Sequence, residues 1–178
     1  MDQESEGLKE LIYQHYPRNQ QAGSDSYLTS NEYIRLKAEN ARTNNADWLD
    51  LKAKLAQHLL HNNAEIYDYS VLGVTPTYHA TFEIPNHKGI FCILLLSVIA
   101  PKWTYWISDT KSKINRFYTE NTRESMFIDE LGDLIKEYFP SYSYLPPESP
   151  QLIVTDIETA LGKSNPWIYD LLFDDLET

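Results

Sequence analysis

Two histidines spaced three positions apart are the first residues in this sequence that could do chemistry. His58 and His61 fall on a predicted helix, where this spacing places both imidazole rings on one face and would let them share a metal ion. No third ligand lies nearby, because Glu65 follows the end of the helix and Cys92 lies in an apolar run. We therefore expect solvated or locally hydrogen-bonded histidines and no bound metal.

The single cysteine, Cys92, could act as a nucleophile only as a thiolate, which needs a partly exposed and electropositive environment. Its neighbours Phe91, Ile93 and Leu94 predict the opposite, a buried and inert thiol. The sequence also lacks a G-x-S-x-G nucleophile turn, an H-E-x-x-H metal motif, a G-x-G-x-x-G motif and a glycine-rich phosphate loop. We expect neither an enzyme nor a cofactor.

Acidic side chains occur in groups that could supply paired carboxylates for catalysis. Asp129, Glu130, Asp133 and Glu137 lie on the longest predicted helix, outside its apolar face. Acid and base catalysis would need one such carboxyl group in a cleft with a raised pKa. We interpret these residues instead as the solvated side of an amphipathic helix.

Aromatic residues are abundant, with 13 tyrosines and 4 tryptophans. Such side chains are enriched at protein interfaces, although many also line sheets. In the segment WTYW, strand alternation places Trp103 and Tyr105 on one face and Thr104 and Trp106 on the other. We expect at least one aromatic residue of this segment near the surface.

The elements that position these residues change in type along the chain. Residues 1–62 read as helical: one helix ends before Pro17, a second starts at the capping-box pair Thr29 and Glu32, and a third covers about 47–61. The next part, 66–118, shows the alternating and continuous apolar patterns of strands. The expected strands are 66–73, 77–84, 90–99, 102–108 and 113–118.

The remaining residues, 120–178, combine a helix, a linker and a terminal segment. An amphipathic helix is expected over 120–140, with Thr122 as a candidate N-cap. A proline-rich extended linker over 141–150 and a short strand over 151–157 follow. A final helix is then expected, with Asn165 as its cap, Pro166 at its first position and an apolar face made by Trp167, Ile168, Leu171 and Leu172.

This order of helices, strands and helices predicts an α+β fold and excludes a repeating βαβ arrangement. We expect one domain over 1–178, built on an antiparallel sheet of about four to five strands covered by N-terminal and C-terminal helices. The run IFCILLLSVIA should form a central strand buried on both faces. Its second face would then be closed by the terminal segments.

Charge is distributed unevenly along the sequence, which has a formal net charge of −11. Residues 1–50 carry 5 basic and 9 acidic side chains, residues 51–120 carry 7 and 5, and residues 121–178 carry 3 and 12. Phosphate contacts need a basic surface, so nucleic-acid binding is disfavoured. A basic protein partner is favoured, because complementary charge speeds association; a role in solubility alone is the simpler reading.

The longest apolar run has eleven residues, Ile90 to Ala100, and a membrane-spanning helix needs about 20. The first twenty residues lack the apolar segment of a secretory signal. One cysteine excludes an internal disulfide and fits a reducing compartment. We expect a cytoplasmic protein with no membrane segment.

The end of the chain, residues 144–175, resembles the ends of small bacterial immunity proteins, the cytoplasmic antidotes encoded beside polymorphic or contact-dependent toxins. The matching features are the L-P-P-E turn at 145–148, the I-V-x-D-I strand at 153–157 and the I-Y-D-L-L-F ending at 168–173. The resemblance implies a small, acidic, non-enzymatic α+β protein. Such a protein binds a cognate toxin domain, in many cases a nuclease with a basic cleft, and occludes its active site.

The resemblance transfers no binding residue position by position, so the candidates come from charge and aromatic content. Acidic residues of the last third of the chain would pair with Lys or Arg of the toxin, and nearby Tyr and Trp side chains would supply buried anchors. The candidates are Trp167, Tyr169, Asp170, Asp174, Asp175 and Glu177. For Trp167, packing in the core is the simpler alternative.

Two other functions share these features. An accessory, adaptor or chaperone-like protein for a secreted effector would also be acidic and without catalytic motifs. An enzyme with an unrecognised site would need a deep cleft in which histidine and carboxylate groups converge. The gene beside this one would separate the first two functions, because an antidote should be encoded next to its toxin.

Overall fold

The computed structural model describes residues 3–41, 46–59, 65–70, 76–116, 118–146, 153–159, 162 and 164–173. The helices are α1 (Gln3–Tyr13), α2 (Asp25–Leu28), α3 (Asn31–Ala41), α4 (Ala46–Lys54), α5 (Thr122–Tyr138) and α6 (Ile168–Phe173). One π-helical turn, Leu55–Leu59, continues α4. The strands are β1 (Tyr67–Asp68), β2 (Thr77–Glu83), β3 (Ile90–Ser97), β4 (Lys102–Asp109), β5 (Ile114–Arg116) and β6 (Ser143–Tyr144).

Five strands form an antiparallel path in the order β1-β2-β3-β4-β5. Strands β2 and β3 pair from Thr77–Ser97 to Glu83–Phe91, and β3 and β4 pair from Ile90–Asp109 to Leu96–Trp103. Successive strands are neighbours because their connections are short. The predicted α+β class, with helices flanking an antiparallel sheet, is confirmed.

The central strand β3 is buried on both faces, as its continuous apolar sequence predicts. Cys92, Leu94 and Leu96 belong to one hydrophobic core, while Ile93 and Leu95 belong to the other. Each core therefore needs its own layer of helices.

The first core lies under α4 and α5, which contact each other. The π-helical turn after α4 adds Leu55, and α5 contributes Phe127, Leu131 and Ile135, a helical repeat of buried positions. Trp48 of α4 is 1% exposed and stacks on Tyr78 of β2, with ring centroids 5.1 Å apart. This layer fixes α5 across the strands that form the candidate site described below.

The second core is covered by α1, α3 and α6, so both ends of the described chain close the other face of the sheet. Tyr16, just after α1, donates a hydrogen bond from its hydroxyl to the carbonyl oxygen of Leu171, at 2.9 Å. Arg18 forms an ion pair with Asp156, with Nε 2.6 Å from Oδ2. The expectation that terminal segments close this face is confirmed.

The segment predicted as a linker contains a strand. Residues 143–144 form β6, which pairs in parallel with Lys102 and Trp103 at the start of β4. That end of β4 needs a partner because β5 pairs only with Ile107, Ser108 and Asp109. The prediction was therefore wrong at these two residues, and 147–150 lie outside the described part.

Two other predicted strands are shorter than expected. Of 66–73, the strand β1 comprises Tyr67 and Asp68, and 71–75 lie outside the described residues. Within 151–157, two isolated bridges, Ile153 with Trp167 and Ile157 with Arg18, replace a continuous strand.

Two predicted helix caps lie one residue from the observed ones. Asn121, not Thr122, caps α5, and its side-chain oxygen accepts from the backbone N–H of Arg123 and Glu124. Ser30, not Thr29, accepts from the backbone N–H of Tyr33 at the start of α3. In each case the observed cap is the neighbouring residue with an equally suitable side chain.

The last helix begins at Ile168, later than the predicted cap Asn165 implies. Asn165 has a left-handed backbone, with φ of 53°. Asp170 instead reaches back and accepts a hydrogen bond from the backbone N–H of Trp167, at 2.8 Å. This contact is the second half of a capping box, made by an Asp at the third helical position.

Candidate functional site

The predicted partner-binding residues lie in different environments. Trp167 is 42% exposed and forms a bridge with Ile153, which is 50% exposed, so the two make a small apolar surface. Tyr169 is half-buried, and its ring lies 5.0 Å from that of Phe173. The remaining candidates, Asp174, Asp175 and Glu177, lie outside the described residues.

Asp170 is buried, with 3% of its surface exposed. Its carboxylate caps the start of α6 by accepting a hydrogen bond from the backbone N–H of Trp167. A carboxylate in this position stabilises the helix N-terminus. The structure thus gives Asp170 a role in folding, and places it away from the surface that a partner could reach.

A groove with a volume of about 600 Å³ lies between β4, β6 and α5. The aromatic side of its lining consists of Trp103, Tyr105 and Tyr144, and the acidic side consists of Asp129 and Asp133 of α5. The strand β6 brings Tyr144 to this position because the Leu145 N–H donates to the carbonyl oxygen of Trp103, at 2.8 Å. A volume of this size is within the range of about 300–1,000 Å³ found for ligand sites.

Gly132 of α5 lines the groove next to the Trp103 ring. A Cβ atom at this position would be 3.4 Å from the Trp103 ring, an ordinary contact, so any larger side chain would enter the groove. The glycine thus keeps the groove open between the two carboxylates that flank it in sequence, Asp129 and Asp133.

The aromatic side of the groove is a stacked cluster of three rings. Trp103 and Tyr144 have centroids 4.9 Å apart, and Tyr105 and Tyr144 have centroids 5.6 Å apart with planes inclined by 24°. Trp103 and Tyr105 are buried, at 7% and 6% exposed, whereas Tyr144 is 37% exposed. A ligand would therefore meet the Tyr144 ring, which the other two rings hold in place.

The acidic side of the groove consists of exposed residues on α5. Asp129 and Asp133 are four residues apart, so both lie on the same face of the helix. Lys136, three residues after Asp133, also lines the groove. Among the described residues, neither aspartate forms an ion pair with Lys or Arg. Burial raises the pKa of Tyr105, and the charge of Asp129 adds to this effect.

Near one end of α5, a buried ion pair joins the helix to the sheet. Arg116 of β5 and Glu124 of α5 are 5% and 2% exposed, and Nη2 of the arginine lies 2.8 Å from Oε1 of the glutamate. Burial alone would raise the pKa of Glu124. The hydrogen bonds from Arg116 and from the Glu120 N–H, together with the guanidinium charge, outweigh burial and hold this pKa below its ordinary value.

The residues first considered for catalysis do not converge on a site. Cys92 is fully buried, which raises the pKa of its thiol far above the ordinary value. Within the described ranges, no group of three or more His, Cys, Asp or Glu side chains could hold a metal ion. His61 and the side chain of His58 lie outside the described residues.

No protein family, curated protein or solved structure matches this chain. The helices that the structure describes include none of the length and apolar character needed to cross a membrane. Interpretation of the site thus depends on its geometry and chemistry.

Sequence reasoning identified Trp103 and Tyr105 as neighbours on one face but missed Tyr144 and the groove. The exposed aromatic residue beside the WTYW segment is Tyr144, which belongs to β6. The alternation in S-Y-S-Y (141–144) is typical of a strand and was available as a signal. The acidic residues of α5 were correctly predicted to be exposed.

Proposed function

We propose that this chain is a non-enzymatic, cytoplasmic immunity protein that binds a cognate toxin domain and occludes its basic active-site surface. The resemblance of residues 144–175 to immunity proteins motivates the class of function. The acidic face of α5, next to the aromatic groove, supports the mode of binding.

The observation that carries this proposal is an exposed row of carboxylates without cationic partners. Asp129, Glu130, Asp133 and Glu137 are exposed on α5, and within the described part of the chain none of them forms an ion pair. Such a row produces a negative potential that attracts a basic surface and speeds association. Tyr144 and the groove beside it supply the aromatic area that interface anchors need.

Inhibition would follow from occupancy of the toxin's cleft. A nuclease binds phosphates with Lys and Arg, and the carboxylates of α5 would pair with the same side chains. The toxin could then bind either its substrate or this protein. No catalytic group of the immunity protein takes part.

A binding and survival experiment tests the proposal. The product of the adjacent gene is used in a pull-down with the wild-type chain and with a variant in which Asp129 and Asp133 are changed to lysine. We expect the wild-type chain to bind and to protect cells that express the toxin, with an affinity that falls as salt rises. The variant should lose both activities.

A matched control is available on the opposite side of the sheet. Glu6 and Glu10 are exposed on α1 and are also four residues apart, so changing both to lysine alters the net charge by the same amount. This control should retain binding and protection. Equal losses in the two variants, or protection by neither the wild-type chain nor the control, would contradict the proposal.

A further inference from the structure

We propose that the groove between β4, β6 and α5 binds an arginine side chain of the protein partner. The identity of that partner rests on the proposed function, whereas the site itself is defined by the residues that line it. The groove joins an exposed aromatic ring to two carboxylates that form no ion pair within the described residues, a combination that favours a planar cation.

The aromatic side of the groove determines how the cation would lie. The rings of Tyr144 and Tyr105 are too close together, at 5.6 Å between centroids, for a group to insert between them. Tyr144 offers the most accessible aromatic face to a ligand, since this residue is 37% exposed and Trp103 and Tyr105 are buried. A guanidinium group stacks on such a face through both cation–π and planar contacts, which an ammonium group makes less well.

The acidic side of the groove supplies the charge. Asp129 and Asp133 line the groove from successive turns of α5. Burial is the main reason that the pKa of Tyr105 is raised, and the charge of Asp129 makes a smaller contribution in the same direction. A guanidinium group stacked on Tyr144 presents its N–H donors in its own plane, towards the edge of the ring. Carboxylate oxygens accept such donors in pairs.

Lys136 opposes this arrangement, because it lines the same groove and carries a positive charge. With two aspartates and one lysine, the charged lining is still negative by one unit. Replacement of Lys136 by a neutral residue should therefore strengthen binding of a cation. A substitution that only disturbed folding would weaken binding, so stronger binding identifies electrostatic recognition.

The probes are three peptides that differ at one position: acetyl-Gly-Arg-Gly-amide, its lysine counterpart and its uncharged citrulline counterpart. Binding is followed through the four indole N–H signals in NMR spectra, which are assigned with single Trp→Phe variants. Only Trp103 lines the groove among the four tryptophans. We expect the arginine peptide to shift the Trp103 signal at millimolar concentration, the lysine peptide to bind more weakly and the citrulline peptide to have no effect.

Four variants test the two sides. Asp129→Asn and Asp133→Asn should each weaken binding of the arginine peptide about 2- to 5-fold, as expected for exposed ion pairs. Tyr144→Leu should weaken it by a similar factor of about 2 to 5, while Tyr144→Phe, which keeps the ring, should not. The control Glu10→Gln, at an exposed position of α1 on the other face of the sheet, should leave it unchanged, and Lys136→Gln should tighten it about 2-fold.

Several outcomes would overturn the inference. These are an unshifted Trp103 signal, equal binding of the arginine and citrulline peptides, or equal effects of Tyr144→Phe and Tyr144→Leu. Tighter binding of a choline or tetramethylammonium probe than of the arginine peptide would assign the groove to a small quaternary cation instead. Because these experiments use no toxin, they fail or succeed independently of the pull-down that tests the proposed function.

Discussion

Replacing Glu124 by alanine removes one partner of the buried ion pair between α5 and β5. The guanidinium of Arg116, 5% exposed, would lose its hydrogen bond to the glutamate at 2.8 Å. It would keep the carbonyl oxygen of Tyr118 and the more distant carboxylate of Glu120, whose Oε1 lies 3.4 Å from the arginine Nε. The Glu120 N–H would also lose its acceptor.

The size of the effect follows from these contacts. Breaking a buried pair by removing one partner typically costs about 3–5 kcal/mol, because the remaining charge is left without compensation. Glu120 can compensate in part, and its side chain is 60% exposed and therefore screened by water. We thus expect a loss of about 3 kcal/mol, and a decrease in Tm of roughly 6–12 °C for a chain of this size.

Urea and thermal denaturation followed by circular dichroism measure this loss. Glu130→Ala is the matched control, since it makes the same change at an exposed position of the same helix and should alter stability by less than about 0.5 kcal/mol. The double variant Arg116→Met, Glu124→Leu should recover most of the loss, because apolar replacement of both partners is often neutral. A loss for Glu124→Ala no larger than that of the control would refute the reasoning.

Three further predictions concern titration, reactivity and capping. The difference in unfolding free energy between the wild-type chain and Glu124→Ala should be constant near neutral pH. It should shrink as pH falls below about 4.3, the pKa of glutamate in an unfolded chain, because the pKa of Glu124 is lower in the folded protein. Urea titrations over a pH series measure this difference. Cys92 should react with a thiol reagent at pH 8 only after the chain is unfolded in guanidinium chloride, since burial keeps its thiol protonated and inaccessible, and full labelling of the native protein would show this to be wrong. Asp170→Ala should lower stability by about 1 kcal/mol, because the Trp167 N–H loses its acceptor, while Asp170→Asn should lose less; equal urea midpoints for the two variants would count against a capping role.

Local patterns were sufficient to predict the main elements of the fold. The continuous apolar run of β3 predicted burial on both faces, and the helical repeat of Phe127, Leu131 and Ile135 predicted which side of α5 packs. Both patterns arise because these side chains pack against a whole layer of the protein, so the prediction does not require knowing which residue each one contacts. The class of fold followed from the order in which such segments occur.

Features that depend on a single distant contact were not predictable in this way. Strand β6 forms because β5 leaves the start of β4 unpaired, which is a property of the sheet and not of residues 143–144. The groove combines residues from three elements, so sequence reasoning found Asp129 and Asp133 on a solvated face but had no means to place Tyr144 beside them.

The packing of α1 beside α6 has a consequence for synthesis of the protein. The hydrogen bond from Tyr16 to Leu171 spans 155 positions, so this part of the layer forms only when the ribosome has added nearly all of the described chain. Until then, the surface of β3 that carries Ile93 and Leu95 lacks the cover that Leu171 and Leu172 later provide. The nascent chain therefore exposes an apolar strand from the time β3 leaves the ribosome until α6 is synthesised, a state that molecular chaperones recognise and that late folding of α6 brings to an end.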